Sequence, residues 1–358
     1  MNKSASICLF NSSTTWGGGE KWIQETGITL SENKYEIVVC ANSTSELFNN
    51  INNTSLKIIP VKIHNLSYLN PLKILYLYRT FKKCGIDIIV LGLSQDLKAA
   101  GLAAKLAGVR QIIYRRGLAN PIKNNLVNRF YFKHIVTKVI ANSEEVKRSL
   151  LAKNNFSINS SDIHVIYNGI NLADTTDINK KINGSPVIIG NVGRLIEGKG
   201  QKHLIELAAY LKEYQYDFLI KIVGIGKMRH HLEEYAKKLK VENSIIFVEF
   251  LSDTSNFYKE IDIFVFPSES EGCSNAILEA MAAARPVVAY NISSMPEMID
   301  NGVTGFMVPY KDVKSMAEKV KLLIDSIALR NEMGQQARLM ISTKFNFNKN
   351  LSLLEELF

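Results

Sequence analysis

Short apolar runs of strand length alternate along this chain with longer stretches in which apolar positions return every three or four residues. The runs DIIVLGL (87–93) and DIFVFPS (262–268) are almost unbroken. Unbroken runs belong to strands buried on both faces of a parallel sheet, not to alternating half-exposed strands. The pattern predicts strands near 5–10, 35–40, 56–60, 87–91, 111–114, 138–141 and 163–166. A second series is predicted near 187–192, 218–223, 244–248, 262–266, 286–290 and 306–308. Helical stretches such as 200–213 and 228–240 lie between them.

Strand–helix–strand repetition demands right-handed crossovers and therefore doubly wound parallel sheets. Residues 170–186 are polar, carry Gly184 and Pro186 and show no apolar period, so they read as a boundary. The expected fold class is α/β, with two Rossmann-like domains over 1–170 and 187–340 and a linker over 171–186. Such domains bind ligands at the carboxyl ends of their strands, and two facing each other hold a ligand in the cleft between them.

Composition narrows the class. At 358 residues with 46% hydrophobic and 22% charged positions, the chain is an ordinary globular one of two-domain length, neither disordered nor dependent on staples. No apolar run reaches membrane-spanning length. The opening MNKSASICLF is too short in its apolar part for a signal peptide and reads as a first strand. Cys8, Cys40, Cys84 and Cys273 form no CxxC pair, which speaks against a zinc knuckle or redox dithiol and fits a cytoplasmic, reducing compartment. Residues 1–185 hold 23 Lys and Arg against 12 Asp and Glu, whereas the remainder holds 20 against 22. A basic first half suits an anionic substrate, an anionic membrane surface, nucleic acid, or simply a solvated face. No recognised nucleic-acid motif accompanies it, so nucleic acid is not an expected partner.

Three segments carry candidate chemistry. WGGGE (16–20) follows the first strand, and a helix starting near Glu20 would offer free amides to an anion. Gly18 and Gly19 permit close backbone approach, although a plain tight turn needs the same residues. NVGRLIEGKG (191–200) puts Arg194 and Lys199 on one Gly-punctuated loop, where a guanidinium fork and a compact ammonium can reach one diphosphate or remain solvated. FPSESEGCSNAILEAMAAARPVV (266–288) carries Glu271 on a loop and Glu279 on the helix that begins near Asn275, with Ser274 or Asn275 as the cap. Carboxylates accept hydroxyl donors well, as a sugar or ribose presents them, yet acids early in a helix also merely stabilise its dipole. Gly224 and Gly226 of GIG follow another strand, where a nucleoside or a simple turn accounts for them. Asn168-Gly169-Ile170 closes the first series of strands.

Taken in order and spacing, GGxE, NGI, GRLxxxKG and PSxxEGxxNAxLEAMAxxxPVV resemble the family 4 glycosyltransferases, retaining enzymes of GT-B architecture, over nearly the whole chain. The resemblance implies a sugar transferred from a nucleotide-diphosphate sugar to a glycan or lipid-linked acceptor in surface polysaccharide or glycolipid synthesis. It implies Gly18 and Gly19 facing the donor phosphate, and Arg194 and Lys199 on the diphosphate leaving group. Glu271 would lie on the transferred sugar, the amides near Ser274 and Asn275 on phosphates, and Glu279 on the ribose. It also implies a C-terminal segment, 341–358, that returns to the first domain. No D-x-D triplet occurs, so a metal-independent reaction without cofactor is expected, with UDP-sugar favoured over GDP-sugar. Many relatives place a His where this chain has Arg115 and Arg116, which are candidates for the acceptor side or plain surface charges. Ser252 stands where relatives often carry Gly, and His134 reads as a packed or surface residue. The basic, aromatic segments 66–84 and 123–138 suit either a core or peripheral contact with an anionic membrane. A catalytically silent donor-binding subunit and a nucleotide-sugar epimerase are the competing functions.

Overall fold

The computed structural model describes residues 5–33, 35–152, 159–172 and 186–358. Most of the expected linker, 173–185, lies outside them. The chain divides into two compact units, Met1–Tyr167 with Leu351–Phe358, and Asn168–Asn350.

The first unit holds strands β1 (Ser6–Asn11), β2 (Glu36–Ala41), β3 (Lys57–Pro60), β4 (Ile88–Leu91), β5 (Gln111–Arg116), β6 (Lys138–Ala141) and β7 (Ile163–Val165). The second holds β8 (Val187–Val192), β9 (Phe218–Val223), β10 (Ile245–Val248), β11 (Ile263–Phe266), β12 (Val287–Tyr290) and β13 (Gly305–Val308). Every strand expected from the apolar pattern forms, because these runs bury both faces at once. All six residues of β1 and all four of β4, β11 and β12 are buried.

The sheets run β3-β2-β1-β4-β5-β6-β7 and β10-β9-β8-β11-β12-β13. Every pairing is parallel. In each sheet the order reverses beside the first strand, so β1 and β8 each stand at a switch point where the loops after neighbouring strands diverge. Helices fill the crossovers with local signals. In the helix Pro71–Cys84, the Asn70 side chain accepts from the Lys73 amide (3.2 Å), Pro71 occupies the first turn, and Gly85 closes the end at φ 60°.

The C-terminal residues divide between the units. Residues 341–350 stay with the second: Asn346 bridges Ile170, and a Cβ on Gly169 would meet the Phe347 Cα at 2.4 Å. The last residues belong to the first. Lys138 Nζ donates to the Leu357 carbonyl (2.8 Å), Arg110 Nη2 donates to that of Phe358 (2.9 Å), and the Phe358 ring meets Tyr35 edge-on. The structure thus begins the returning segment at Leu351, ten residues later than the expected 341, and ends the first unit at Tyr167 rather than 170.

Edge strand β13 fits against β12 only because Gly305 has no side chain: a Cβ there would stand 2.1 Å from the Val287 carbonyl oxygen. Gly305→Ala must push β13 away from its neighbour, and we expect a loss of about 2–3 kcal/mol, typical of overpacking. Thermal melting should fall by about 5–10 °C for a unit of this size. An unchanged melting temperature would contradict this packing.

Candidate active site

In the second unit, β8 opens into the loop 193–200, which is fixed before any ligand is considered. Gly193 and Leu195 donate their amides to the carbonyls of Val223 (3.0 Å) and Ile225 (2.9 Å), and Gln201 Nε2 donates to the Arg194 carbonyl (3.1 Å). Gly224 and Gly226 adopt φ 145° and 159°. A Cβ on either would stand 2.0 Å from the Gly193 oxygen or 2.2 Å from that of Leu195. Their freedom is therefore used to close two strand-end loops on each other. The Arg194 side chain is exposed and makes no ion pair with a described residue.

The loop after β11 meets this one. Gly200 sits at φ 73°, where a Cβ would fall 2.0 Å from the Pro267 carbonyl oxygen. The Glu269 amide donates to the Gly198 carbonyl (2.8 Å). The contact brings Lys199 Nζ to 2.5 Å from Glu271 Oε1, and Ser268 Oγ donates to the same oxygen (2.9 Å). With side chains only 22% and 15% exposed, these charges depend on each other, since removing one leaves the other poorly solvated. Ser293 and Ser294 clamp the loop from the far side by donating to the Glu271 carbonyl (2.7 and 3.1 Å).

The helix Asn275–Ala282 follows with Ser274 as N-cap, but no side-chain capping bond forms there. The Ser274 amide instead faces Met298 Sδ (3.3 Å). Asn168 Nδ2 donates to Asn275 Oδ1 (2.7 Å) and to the Cys273 carbonyl (2.9 Å). The Asn-Gly-Ile segment is thus the strut of this helix start. Glu279, one turn further along, accepts from Thr254 Oγ1 (3.1 Å). Burial, with Glu279's charge nearby, pushes the Tyr258 phenol well above its ordinary range.

In the first unit the helix after β1 starts at Gly18, two residues earlier than Glu20, with Gly17 extended as its N-cap. The amides of Gly18 and Gly19 therefore belong to the first turn, and a Cβ on Gly19 would meet nothing within 4 Å. Arg115 is buried, its guanidinium 4.0 Å over the Trp22 ring, so it is not a surface charge. Arg116 is half-buried and donates to the Asn120 carbonyl (2.9 Å).

Sequence reasoning passed over the most unusual acid. Asp96 is fully buried just beyond β4, accepting from the Ser12 amide (3.1 Å) and hydroxyl (2.5 Å), while Asn11 Nδ2 holds Glu20 Oε1 (2.8 Å). Two carboxylates thus secure both ends of the turn that carries Gly17, Gly18 and Gly19. The signal was present as the only acid between Asp87 and Glu144, standing directly after a buried parallel strand. Burial pushes the Asp96 carboxyl up to about 7, against the pull of both Ser12 hydrogen bonds. Among the described residues no group of three or more His, Cys, Asp or Glu is arranged to hold a metal ion.

Two doubly wound sheets with polar, Gly-shaped loops at their carboxyl ends define an α/β protein of the two-Rossmann class. Residues 16–174 match the model of Glycosyltransferase Family 4, and residues 174–340 that of Glycosyl transferases group 1. The chain belongs to the family 4, group 1 glycosyltransferases. It is 29% identical over 220 residues to the capsular polysaccharide biosynthesis glycosyltransferase CapM of Staphylococcus aureus, covering 59% of this chain and 58% of that one. It is 26% identical to the Escherichia coli UDP-Gal:alpha-D-GlcNAc-diphosphoundecaprenol alpha-1,3-galactosyltransferase, over 84% of this chain and 82% of that one. The fold matches Anabaena HepE, solved with UDP and glucose, at TM-score 0.83 and 19% identity over 99% of both chains.

Asp96 gives a pH test. Its folded-state carboxyl keeps a proton to about pH 7, while the unfolded chain releases it near 4. Between those values the folded state binds more protons, so stability falls as pH rises and levels off above 7. Asp96→Asn mimics the protonated acid. Its advantage over the parent should be smallest near pH 4 and grow as pH rises, reaching several degrees near pH 8, by scanning calorimetry. A difference that does not vary with pH would overturn the assignment.

Proposed function

We propose that this chain transfers a sugar from a nucleotide-diphosphate sugar to a glycan or lipid-linked acceptor, with retention of anomeric configuration and without a metal. The observation that carries the reading is the meeting of Lys199, on the loop that also carries Arg194, with Glu271 at the approach to the helix Asn275–Ala282. Breaking the anomeric C–O bond sends its electron pair to the diphosphate and leaves positive charge on the sugar ring. Lys199, Arg194 and the first amides of that helix oppose the first charge as preorganised cations and dipoles. In the unliganded state Glu271 neutralises Lys199. On donor binding, the ammonium turns to phosphate and the carboxylate accepts a sugar hydroxyl, so neither charge is left bare. The acceptor oxygen attacks from the face the diphosphate leaves, and its proton passes to the departing phosphate oxygen. Glu279 holds the ribose hydroxyls.

The activities of relatives support the substrate class. One acts on a diphosphoundecaprenol-linked sugar with UDP-Gal, another serves capsular polysaccharide synthesis, and HepE binds UDP and glucose. The basic first unit suits an anionic, lipid-linked acceptor. A UDP-sugar is the favoured donor and surface polysaccharide or glycolipid the favoured product.

Arg194→Ala and Lys199→Ala should each lower kcat/KM for transfer by about 10²-fold, the scale of losing one charge-stabilising donor. Unchanged turnover in both would overturn the reading. In a thermal-shift screen, UDP-sugars should raise the melting temperature more than GDP-sugars, because ligand binding stabilises the folded state alone. Donor binding with no transfer to any acceptor extract would instead indicate a silent subunit. Isomerised free donor would indicate an epimerase.

A further inference from the structure

A left-handed backbone strains any residue but glycine, and such strain persists where the surroundings hold it in place. Among the described residues five non-glycines adopt a positive φ: Gln215, Lys240, Ala284, Ser293 and Lys311. Gln215, Lys240 and Ala284 each stand two positions beyond the end of a helix, where a left-handed residue closes the last turn. Lys311 turns the chain between β13 and the helix Val313–Asp325. Ser293, at φ 54°, closes no helix. It lies between β12 and the short helix Met295–Met298.

For backbone conformation alone, glycine suits position 293 better than serine. What serine adds is a hydroxyl, and that hydroxyl goes to Glu271. Ser293 Oγ accepts from the Glu271 amide (3.3 Å) and donates to the Glu271 carbonyl (2.7 Å), so it grips both polar groups of one residue's main chain. Ser294 acts on the same residue. It occupies the N-cap of the short helix, where a serine ordinarily accepts from a helix amide, yet no such bond forms. Fully buried, it donates to the Glu271 carbonyl instead (3.1 Å). Met298 extends the contact, its Sδ accepting from the Ser274 amide (3.3 Å). Residues 293–298 thus hold the loop 271–274 at both ends. Lys344 Nζ anchors that segment in turn by donating to the Glu297 carbonyl (2.7 Å).

We propose that Ser293 and Ser294 are positioning residues for the transferred sugar. They fix the main chain of Glu271 so that its carboxylate can pass from Lys199 to a sugar hydroxyl while the loop stays in place. The carboxylate's own bonds, to Lys199 Nζ and Ser268 Oγ, are the ones a donor must exchange. The loop therefore needs an anchor that leaves the carboxylate alone, and both serines bond only its peptide groups. The inference rests on the proposed role of Glu271 at the donor sugar, but half of its test uses no substrate.

Two variants of the full-length protein separate grip from strain. Ser293→Ala keeps the left-handed strain and loses the grip, whereas Ser293→Gly loses both. In scanning calorimetry Ser293→Gly should melt within about 2 °C of the parent and several degrees above Ser293→Ala. Lys199 reports on Glu271 without substrate. Its acetylation by an N-hydroxysuccinimide ester, read by peptide mass spectrometry, should run about threefold faster in both variants, because a displaced carboxylate favours the ammonium form less. Hydrolysis of UDP-glucose to UDP and glucose should fall about tenfold in kcat in both, with UDP affinity by titration calorimetry unchanged. Ser294→Ala, at an ordinary φ of −85°, should lower kcat about threefold. Parent-like acetylation of Lys199 in Ser293→Gly would overturn the proposal. So would turnover that follows the melting temperature, normal in Ser293→Gly and lost in Ser293→Ala, which would assign the serine to folding alone. Weakened UDP binding in Ser293→Gly would overturn it too, by assigning the serine to the nucleotide. If the parent releases no glucose, faster acetylation in the variants still upholds the grip on Glu271, and the fault lies with the proposed donor.

Discussion

Parallel pairing is the constraint on which the rest of this molecule depends. A parallel strand can be followed only by a crossover, so every strand of a sheet delivers its next loop to the same edge. In the second unit the loops after β8, β9 and β11 must therefore crowd together, and they do so through missing side chains. Gly200 passes under the Pro267 carbonyl, and Gly224 and Gly226 lie against the carbonyls of Gly193 and Leu195. The chemistry-bearing side chains are brought together by this backbone crowding rather than by proximity in sequence: Lys199 and Glu271 meet across 72 positions.

The same edge handles charge in two different ways. In the second unit a cation and a carboxylate neutralise one another while remaining partly open to water, an arrangement that can be exchanged for a ligand at little cost in solvation. In the first unit Asp96 is fully buried without a cation in the bonds it makes. Its two Ser12 hydrogen bonds compensate only part of the desolvation, which leaves its carboxyl near neutrality. The first arrangement suits a binding surface. The second fixes the backbone of a glycine-rich turn.

Arg115 illustrates how sequence reading and structure differ without conflict. As one of two adjacent arginines at a strand end it reads equally as an acceptor contact or a surface charge. Alternation along β5 sends it inward, onto the face of Trp22, while Arg116 reaches back to the Asn120 carbonyl. The residues are neighbours in sequence, but the period of two in a strand gives them different environments.

The sequence alone determined the thirteen strands, their grouping into two sheets, and the loops that carry Gly18, Gly19, Arg194, Lys199, Glu271 and Glu279. Those features are written locally, in unbroken apolar runs, glycines and their spacing. Tertiary structure decided the ion pair of Lys199 with Glu271, the use of Asn168 as a strut for the helix at Asn275, the burial of Asp96, and the point at Leu351 where the chain rejoins the first unit. Each of these is a contact between residues distant in the chain. Its energy depends on how much water the assembled backbone excludes, which no local pattern records.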